Sequence, residues 1–423
     1  MSGAGGKSGA VEVSGAALDV SQAVLALGSD SLVGGEVRGR LTHLSSSRLV
    51  LEDAEMSLEC RCTPTLQQTG AVVPGDLVVA QISSVEAGVV HVGALVSVAA
   101  GKLTAPSAPG EHARRLGQRM RARAAAQRFV RSYFDAAGFL EVDTPVRVPA
   151  PGLDLHVDAL PAHEGWLITS PEHHMKRLLV AGLPRIYQIA RASRAEELGA
   201  LHQPEFLLLE WYRAYAGMAE VMADTEALVV GVVQALRDPE LQLARVPYRG
   251  ATYDLTRPFP RISVREAYRR FAGVDDVVEL ARRDEDRYFE LMVDRVEPGL
   301  TALRRPVFLH GYPLSQASLA RPDPLDPETA ERFELYWAGV ELCNGFGELT
   351  DAAEQRRRYV AAIEDRRARQ MPVYPLDEPF LAALEEGMPP AGGNALGLDR
   401  LLMLALEEAS LDAVVPFPVP RPE

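Results

Sequence analysis

The stretch RFELYWAGVELCNGFGELTD, residues 332–351, carries three glutamates seven residues apart, Glu334, Glu341 and Glu348, among residues that are otherwise largely apolar or small. RFELYWAG and GVELCNGF read as two strands joined by a tight turn at Ala338–Gly339. In that register Glu341 faces Tyr336 and Glu334 is its diagonal neighbour on the same face; a shifted register pairs the two glutamates directly. Two carboxylates that close repel and are costly to bury, and a divalent cation removes the conflict. Mg²⁺ is typically held by one or two carboxylates together with substrate phosphates. A solvated hairpin face would carry the same acids.

A second stretch, YQIARASRAEELGALHQPEFLLLEWYRAYA (187–216), runs from a strand-like segment through a polar loop into another. Arg194 and Glu196 at the strand end suit a phosphate and an amine respectively. Phe206 is suited to stacking a base, and equally to core packing. Glu210 is an acid inside LLLEWY, where an ionised group is either paired or functional. A third stretch, GGNALGLDRLLMLAL (392–406), leads small residues into an amphipathic helix with Arg400 in its first turn, a place that favours anions. It lacks the glycine spacing of a dinucleotide fingerprint.

These stretches need a frame to hold them. A chain of 423 residues with 47% apolar residues has material for two domains. The net charge of −14 argues against binding nucleic acid by bulk charge, leaving a local basic channel open. Three cysteines, Cys60 and Cys62 one residue apart and Cys343 far away, have no metal-ligand spacing and suit a reducing compartment; with no apolar signal core and no run long enough to span a bilayer, a cytoplasmic location is expected. Residues 1–15 read as a flexible Gly/Ser tail, 16–102 as short strands of an OB-like β-barrel, 103–110 as a linker, and 111–423 as one mixed domain opened by a long helix ending at Gly138. There is no aromatic residue before Phe129, and residues 1–110 carry six Lys/Arg against ten Asp/Glu. A barrel of that composition has no stacking platform for single-stranded nucleic acid. The helix DAAEQRRRYVAAIEDRRARQ (351–370) has an Asp351/Glu354 capping pattern, and its arginines read as a solvated face.

Taken together, the second and third stretches and the glutamate hairpin between them resemble the signature motifs of class II aminoacyl-tRNA synthetases. The long helix followed by GFLEVDTPV, with Pro145, resembles the first motif, which in that family builds a dimer interface. The resemblance covers about residues 110–420. It implies an α+β fold, a mainly antiparallel sheet flanked by helices, fronted by an OB barrel as in the lysine/aspartate/asparagine subgroup. It implies ATP and Mg²⁺ as cofactors and a homodimer.

The resemblance assigns Glu334 and Glu341 to the metal and Arg194, Glu341 and Arg400 to catalysis. ATP would meet Arg194, Glu196, His202, Gln203, Phe206, Glu341, Leu342, Gly397 and Arg400. Aspartate and asparagine enzymes place an arginine near the position of Glu348; an acid there, with Glu210, asks for a cationic side chain, hence lysine or a close analogue. Ser170, Pro171, Glu172, Glu210, Tyr212, Asn344, Glu348 and Ala395 would form its pocket, with Glu210 and Glu348 at the ε-amine and Glu172 at the α-amine. Within the lysine group the chain looks closer to the ligases that modify elongation factor P with lysine or (R)-β-lysine than to lysyl-tRNA synthetases; Ala395, where the latter carry glycine, suits a β-amino acid. Two departures are the N-terminal barrel, which the modifying enzymes usually lack, and Gln203, where the family mostly has Asn. Charging of tRNA, and a non-catalytic amino-acid-binding regulator, are the alternatives.

Overall fold

The structure is a computed structural model that describes residues 18–27, 32–53, 55–69, 71–101, 111–155, 157–237, 245–317 and 319–420. The segments read as tail (1–15) and linker (103–110) lie outside these residues. The chain divides into two compact units, 1–121 and 122–423. The division falls within the helix Glu111–Ala136. Among the described residues no helix is long and apolar enough to cross a membrane.

In the first unit five strands close on themselves: β1 (Glu36–Leu44), β2 (Arg48–Glu52), β3 (Ser57–Thr69), β4 (Leu77–Glu86) and β5 (Val89–Ala99). They follow the order β1-β2-β3-β5-β4, and β4 returns to β1 with Gln81 opposite Glu36 and Leu77 opposite Arg40. Only β3 and β5 run parallel among these five. This is the Greek-key closure of an OB-like barrel, and it leaves no long edge unpaired. Alternate residues such as Leu49, Leu51, Val78, Ala80, Val90 and Val92 fill its interior, as the period of two requires.

The second unit is built on an eight-stranded sheet. Its strands are β6 (Leu140–Glu141), β7 (Arg185–Ser193), β8 (Glu205–Ala214), β9 (Arg261–Ser263), β10 (Val307–Pro313), β11 (Thr329–Trp337), β12 (Val340–Gly347) and β13 (Ala391–Gly397). The order is β9-β10-β11-β12-β13-β8-β7-β6, antiparallel except for the two outermost pairs. The strand from the C-terminal region, β13, is thus inserted between the glutamate hairpin and β8.

Helices cover both faces. The long helix α1 (Glu111–Ala136), α3 (Met218–Leu236) and α6 (Leu398–Ala405) pack on Leu209, Trp211 and Leu335. Helices α2 (Glu172–Val180), α4 (Ala352–Ala368) and α5 (Glu378–Gly387) pack on Ile186, Tyr212, Ala330 and Phe346. A strand buried on both faces loses its polar alternation, which is why EFLLLEWY reads as a continuous apolar run. The buried Arg123 of α1 pairs with Asp399 of α6, whose other oxygen accepts from the Leu207 backbone N–H at 2.8 Å.

The local signals are realised as expected at several points. Ala338 and Gly339 have φ of 55° and 76°, the two left-handed positions of a tight hairpin turn. Gly138 takes φ 73° just past α1. Asp351 caps α4 through the N–H groups of Ala353 and Glu354. One arginine of α4 differs from the expected solvated face: Arg366 is fully buried and its guanidinium donates to the carbonyls of Asp154 and Pro372, while Arg357, Arg367 and Arg369 are exposed.

Candidate active site

A cavity of about 970 Å³ opens on the sheet face that α2 and α4 flank. Strand register builds its floor. Directly opposed residues run across four strands as Glu210–Ala395–Asn344–Glu334. Opposed residues share a face, so three segments far apart in sequence present one row of side chains. Two residues along, Tyr212–Gly393–Phe346–Arg332 form a second row on the same face.

One end of the cavity is acidic. Glu210 lines it, is 1% exposed, and accepts a hydrogen bond from Ser170 Oγ on Oε1. Its Oε2 has no hydrogen-bond partner among the described residues. Burial, and then the Glu172 charge, raise its carboxyl well above the usual range. An unpartnered buried carboxylate oxygen facing a cavity is a place for a cation. Ser170 Oγ also accepts from the Glu172 N–H at 3.0 Å, and Glu172 lines the cavity from the first turn of α2. Pro171 is the N-cap of that helix and makes no side-chain cap bond. Behind Glu172, His173 stacks on Phe380 and sits between Asp377 at 3.1 Å and the Tyr359 hydroxyl at 2.6 Å, which locks α2 to α4 and α5. Ala395 and Asn344 line the cavity beside Glu210.

Two residues expected in this pocket stand behind it. Tyr212 and Glu348 are buried and neither lines the cavity. Gly393 makes room for both: a Cβ there would lie 2.3 Å from Tyr212 Cε1 and 2.4 Å from Glu348 Oε1. Glu348, expected at a substrate amine, has a cation of the chain beside it. Lys176 Nζ is 2.6 Å from Glu348 Oε2 and 2.6 Å from Glu172 Oε1. Burial works against the Lys176 ammonium, but Glu172 and Glu348 outweigh it and hold it above the ordinary lysine range. Sequence reasoning missed Lys176, although the i,i+4 spacing Glu172–Lys176 was visible in SPEHHMKRLL.

The other end is cationic. Arg194 lines the cavity, lies over the Phe206 ring at 5.2 Å, and has a buried Nε without a hydrogen-bond partner. Arg400 donates to the Leu201 carbonyl at 3.2 Å, to the Glu341 carbonyl at 2.9 Å and to His202 Nε2 at 2.7 Å. Leu342 and Gly397 also line this end, Gly397 as the N-cap of α6. A planar ring beside a guanidinium group suits a base, and an orphaned guanidinium N–H suits phosphate.

Two expected nucleotide contacts differ. Glu196 is exposed, has φ 60° and does not line the cavity; its neighbour Glu197 does, 3.7 Å from Arg194. A left-handed residue reverses the loop locally and swaps which side chain faces inward. Gln203 lines the cavity, but its side-chain amide is engaged elsewhere: Nε2 donates to Asp412 at 3.0 Å and Oε1 accepts from the Val419 N–H at 2.9 Å.

The hairpin has the unshifted register, with Tyr336 opposite Glu341, plus a bulge that leaves Leu342 unpaired. Glu334 is not a free ligand beside Glu341. Arg332 Nη2 lies 2.5 Å from its Oε1, and the Tyr312 and Tyr336 hydroxyls donate to Oε2 at 2.5 and 2.7 Å. Arg332 also covers the Tyr312 ring at 4.5 Å. Glu341 lines the cavity with Arg400 3.9 Å from its Oε2; burial, and then the Glu334 charge, push it up to about 7. Among the described residues no cluster of three or more His, Cys, Asp or Glu could hold a metal alone. The donor set therefore fits Mg²⁺ held by Glu341 together with substrate phosphates, with Glu334 setting the local charge.

The chain's similarity to known proteins agrees with this geometry. The family model described as tRNA synthetases class II (D, K and N) matches residues 112–421. A curated relative from Edwardsiella ictaluri (strain 93-146), named elongation factor P–(R)-beta-lysine ligase, is 42% identical over 305 residues, which cover 69% of this chain and 92% of the relative.

Proposed function

The chain belongs to the class II tRNA synthetases of the D, K and N group, and we propose that it is an ATP-dependent ligase that activates lysine or (R)-β-lysine and transfers it to a lysine side chain of elongation factor P. The observation that carries this reading is the row Glu210–Ala395–Asn344 in the wall of one cavity, which begins at a buried acid with one unpartnered oxygen, the same cavity being lined by Arg194 and Arg400. An amino acid with a terminal ammonium would lie along it with its carboxylate toward Arg194.

In this reading the substrate carboxylate attacks the α-phosphorus of ATP, pyrophosphate leaves, and an aminoacyl adenylate forms. Arg194 binds the α-phosphate; Arg400 and His202 bind the outer phosphates; Phe206 and Arg400 enclose the base. The protein contributes position and charge rather than covalent chemistry. Mg²⁺, when bound at Glu341, neutralises phosphate charge. The acceptor amine then attacks the adenylate carbonyl, an amide bond forms, AMP leaves and the amine gives up a proton. A homodimer through α1 and the segment after it belongs to the same reading; Leu140 and Val146 are exposed there.

The barrel favours a second reading, transfer to a tRNA ribose hydroxyl, as in synthetases that carry one. Against it stand the absence of aromatics before Phe129 and the acidic balance of residues 1–110. The test offers ATP, Mg²⁺ and labelled lysine or (R)-β-lysine with elongation factor P in one tube and total tRNA in another. Label on the protein factor alone is expected; label on tRNA alone replaces this reading with the second.

A further inference from the structure

Four side chains of α4 are buried, Gln355, Tyr359, Ile363 and Arg366. Their spacing is that of one helix face. Ile363 is apolar, and two of the three polar ones are engaged. The Tyr359 hydroxyl lies 2.6 Å from His173 Nε2, and Arg366 donates to the Asp154 and Pro372 carbonyls at 2.7 Å each. Gln355 is different. It is 1% exposed and lines the cavity, yet neither its Oε1 nor its Nε2 has a hydrogen-bond partner among the described residues. A buried amide left unpaired carries a desolvation cost that an apolar side chain in its place would not.

The start of α4 stands at the acidic end. Tyr359, one turn on from Gln355, reaches His173, the residue after Glu172. Arg358 donates to the Ala320 carbonyl at 2.8 Å, and Ala320 is the bridge partner of Glu348. Glu172, Glu210 and Glu348 act on one another there, with Lys176 as the chain's own cation among them. An incoming ammonium brings three N–H donors. A fourth carboxylate would add to the repulsion among the acids, whereas an amide oxygen accepts without adding charge.

We propose that Gln355 is a substrate-binding residue: its amide oxygen accepts from the substrate ammonium seated at the acidic end, a neutral acceptor beside the carboxylates. The proposal rests on the lysine-activating reading above and deepens it. The unpaired amide is then a cost to the free enzyme that the bound amino acid removes.

The experiment compares wild type, Gln355→Met and Gln355→Glu in amino-acid-dependent ATP–pyrophosphate exchange with lysine and with (R)-β-lysine. Each protein also gives a melting curve without ligand. Methionine is unbranched like glutamine and nearly as long, but brings no amide. Gln355→Met should melt no lower than wild type, since no hydrogen bond of the fold is lost. It should raise the amino-acid KM by on the order of tenfold, the loss of one hydrogen bond to a charged group, with the KM for ATP unchanged. Gln355→Glu keeps an acceptor oxygen whether ionised or not, so its amino-acid KM should stay well below that of Gln355→Met. A folded Gln355→Met with the wild-type amino-acid KM overturns the proposal. So does a Gln355→Met that melts well below wild type or does not fold, because the amide then serves the fold. A Gln355→Glu as impaired as Gln355→Met overturns the acceptor role. If wild type exchanges with neither amino acid, the functional reading fails and the proposal falls with it; exchange by wild type with a KM indifferent to the substitution fails the proposal alone.

Discussion

Glu210 on β8 and Ala395 on β13 are ladder partners, so the Ala395 methyl group lies beside a cavity-lining buried acid whose Oε2 has no hydrogen-bond partner among the described residues. The pair defines the acidic end. Glu210→Gln should weaken amino-acid activation by about 3–5 kcal/mol, the cost of leaving a buried ammonium without its charge partner. The measurement is the amino-acid KM in pyrophosphate exchange, and an unchanged KM would remove Glu210 from the site. Ala395→Gly should widen the floor and move the kcat/KM ratio from (R)-β-lysine toward α-lysine.

The Ser170 hydroxyl lowers the Glu210 pKa against burial, which raises it. Removing that donor in Ser170→Ala raises the carboxyl further and lowers its ionised fraction near neutrality. Activity should fall at pH 7 and recover in part as the pH rises. A loss that is the same at every pH would show that Ser170 acts only through shape.

Glu341 is pushed up to about 7, so it is only partly ionised near neutral pH. Pyrophosphate exchange should climb between about pH 6 and 8 as the carboxylate ionises and binds Mg²⁺. Glu334 raises this value, so Glu334→Gln should move the climb to lower pH while the response to Mg²⁺ survives; Glu341→Gln should abolish that response. The stability sign follows from the same shift. The folded value exceeds the unfolded one, so the favourable contribution is present below about 4.5 and is lost as the pH rises through about 7. Glu341→Gln should therefore melt higher than wild type above pH 7 and show no such gain at pH 4.

Gly393 has no room for a side chain: the Cβ of alanine would meet Tyr212 and Glu348 at 2.3 and 2.4 Å. Gly393→Ala should cost about 1–3 kcal/mol of stability, as overpacking does. It should also raise the amino-acid KM by pressing Glu348 off Lys176. Thermal melting and exchange kinetics read the two effects separately.

Gln203 ties the loop after β7 to the C-terminal segment through Asp412 and Val419. Gln203→Leu should cost about 1–3 kcal/mol, since it removes two hydrogen bonds. Hydrogen exchange should rise over residues 411–420 and the KM for ATP should increase. Unchanged exchange over that segment would sink the tether.

Much was legible without coordinates because it is written locally. Ala338–Gly339 specifies a turn that demands left-handed residues, and that turn sets which face the hairpin glutamates share. Asp351 announces a helix start. Alternating short strands between turn signals announce a closed barrel. The motif residues around Arg194, Glu210, Glu341 and Arg400 were identified by type and order, and all four line one cavity. What the tertiary structure decided was partnership. Glu334, Glu341 and Glu348 look alike in sequence, yet Arg332 and two tyrosines take the first, the cavity is open to the second, and Lys176 takes the third. Glu196 faces away and Gln203 is tied to a segment about two hundred residues later for the same reason. Side-chain period and capping are properties of neighbours along the chain, whereas the partner of a buried charge is whatever the sheet order and helix packing bring within hydrogen-bond reach.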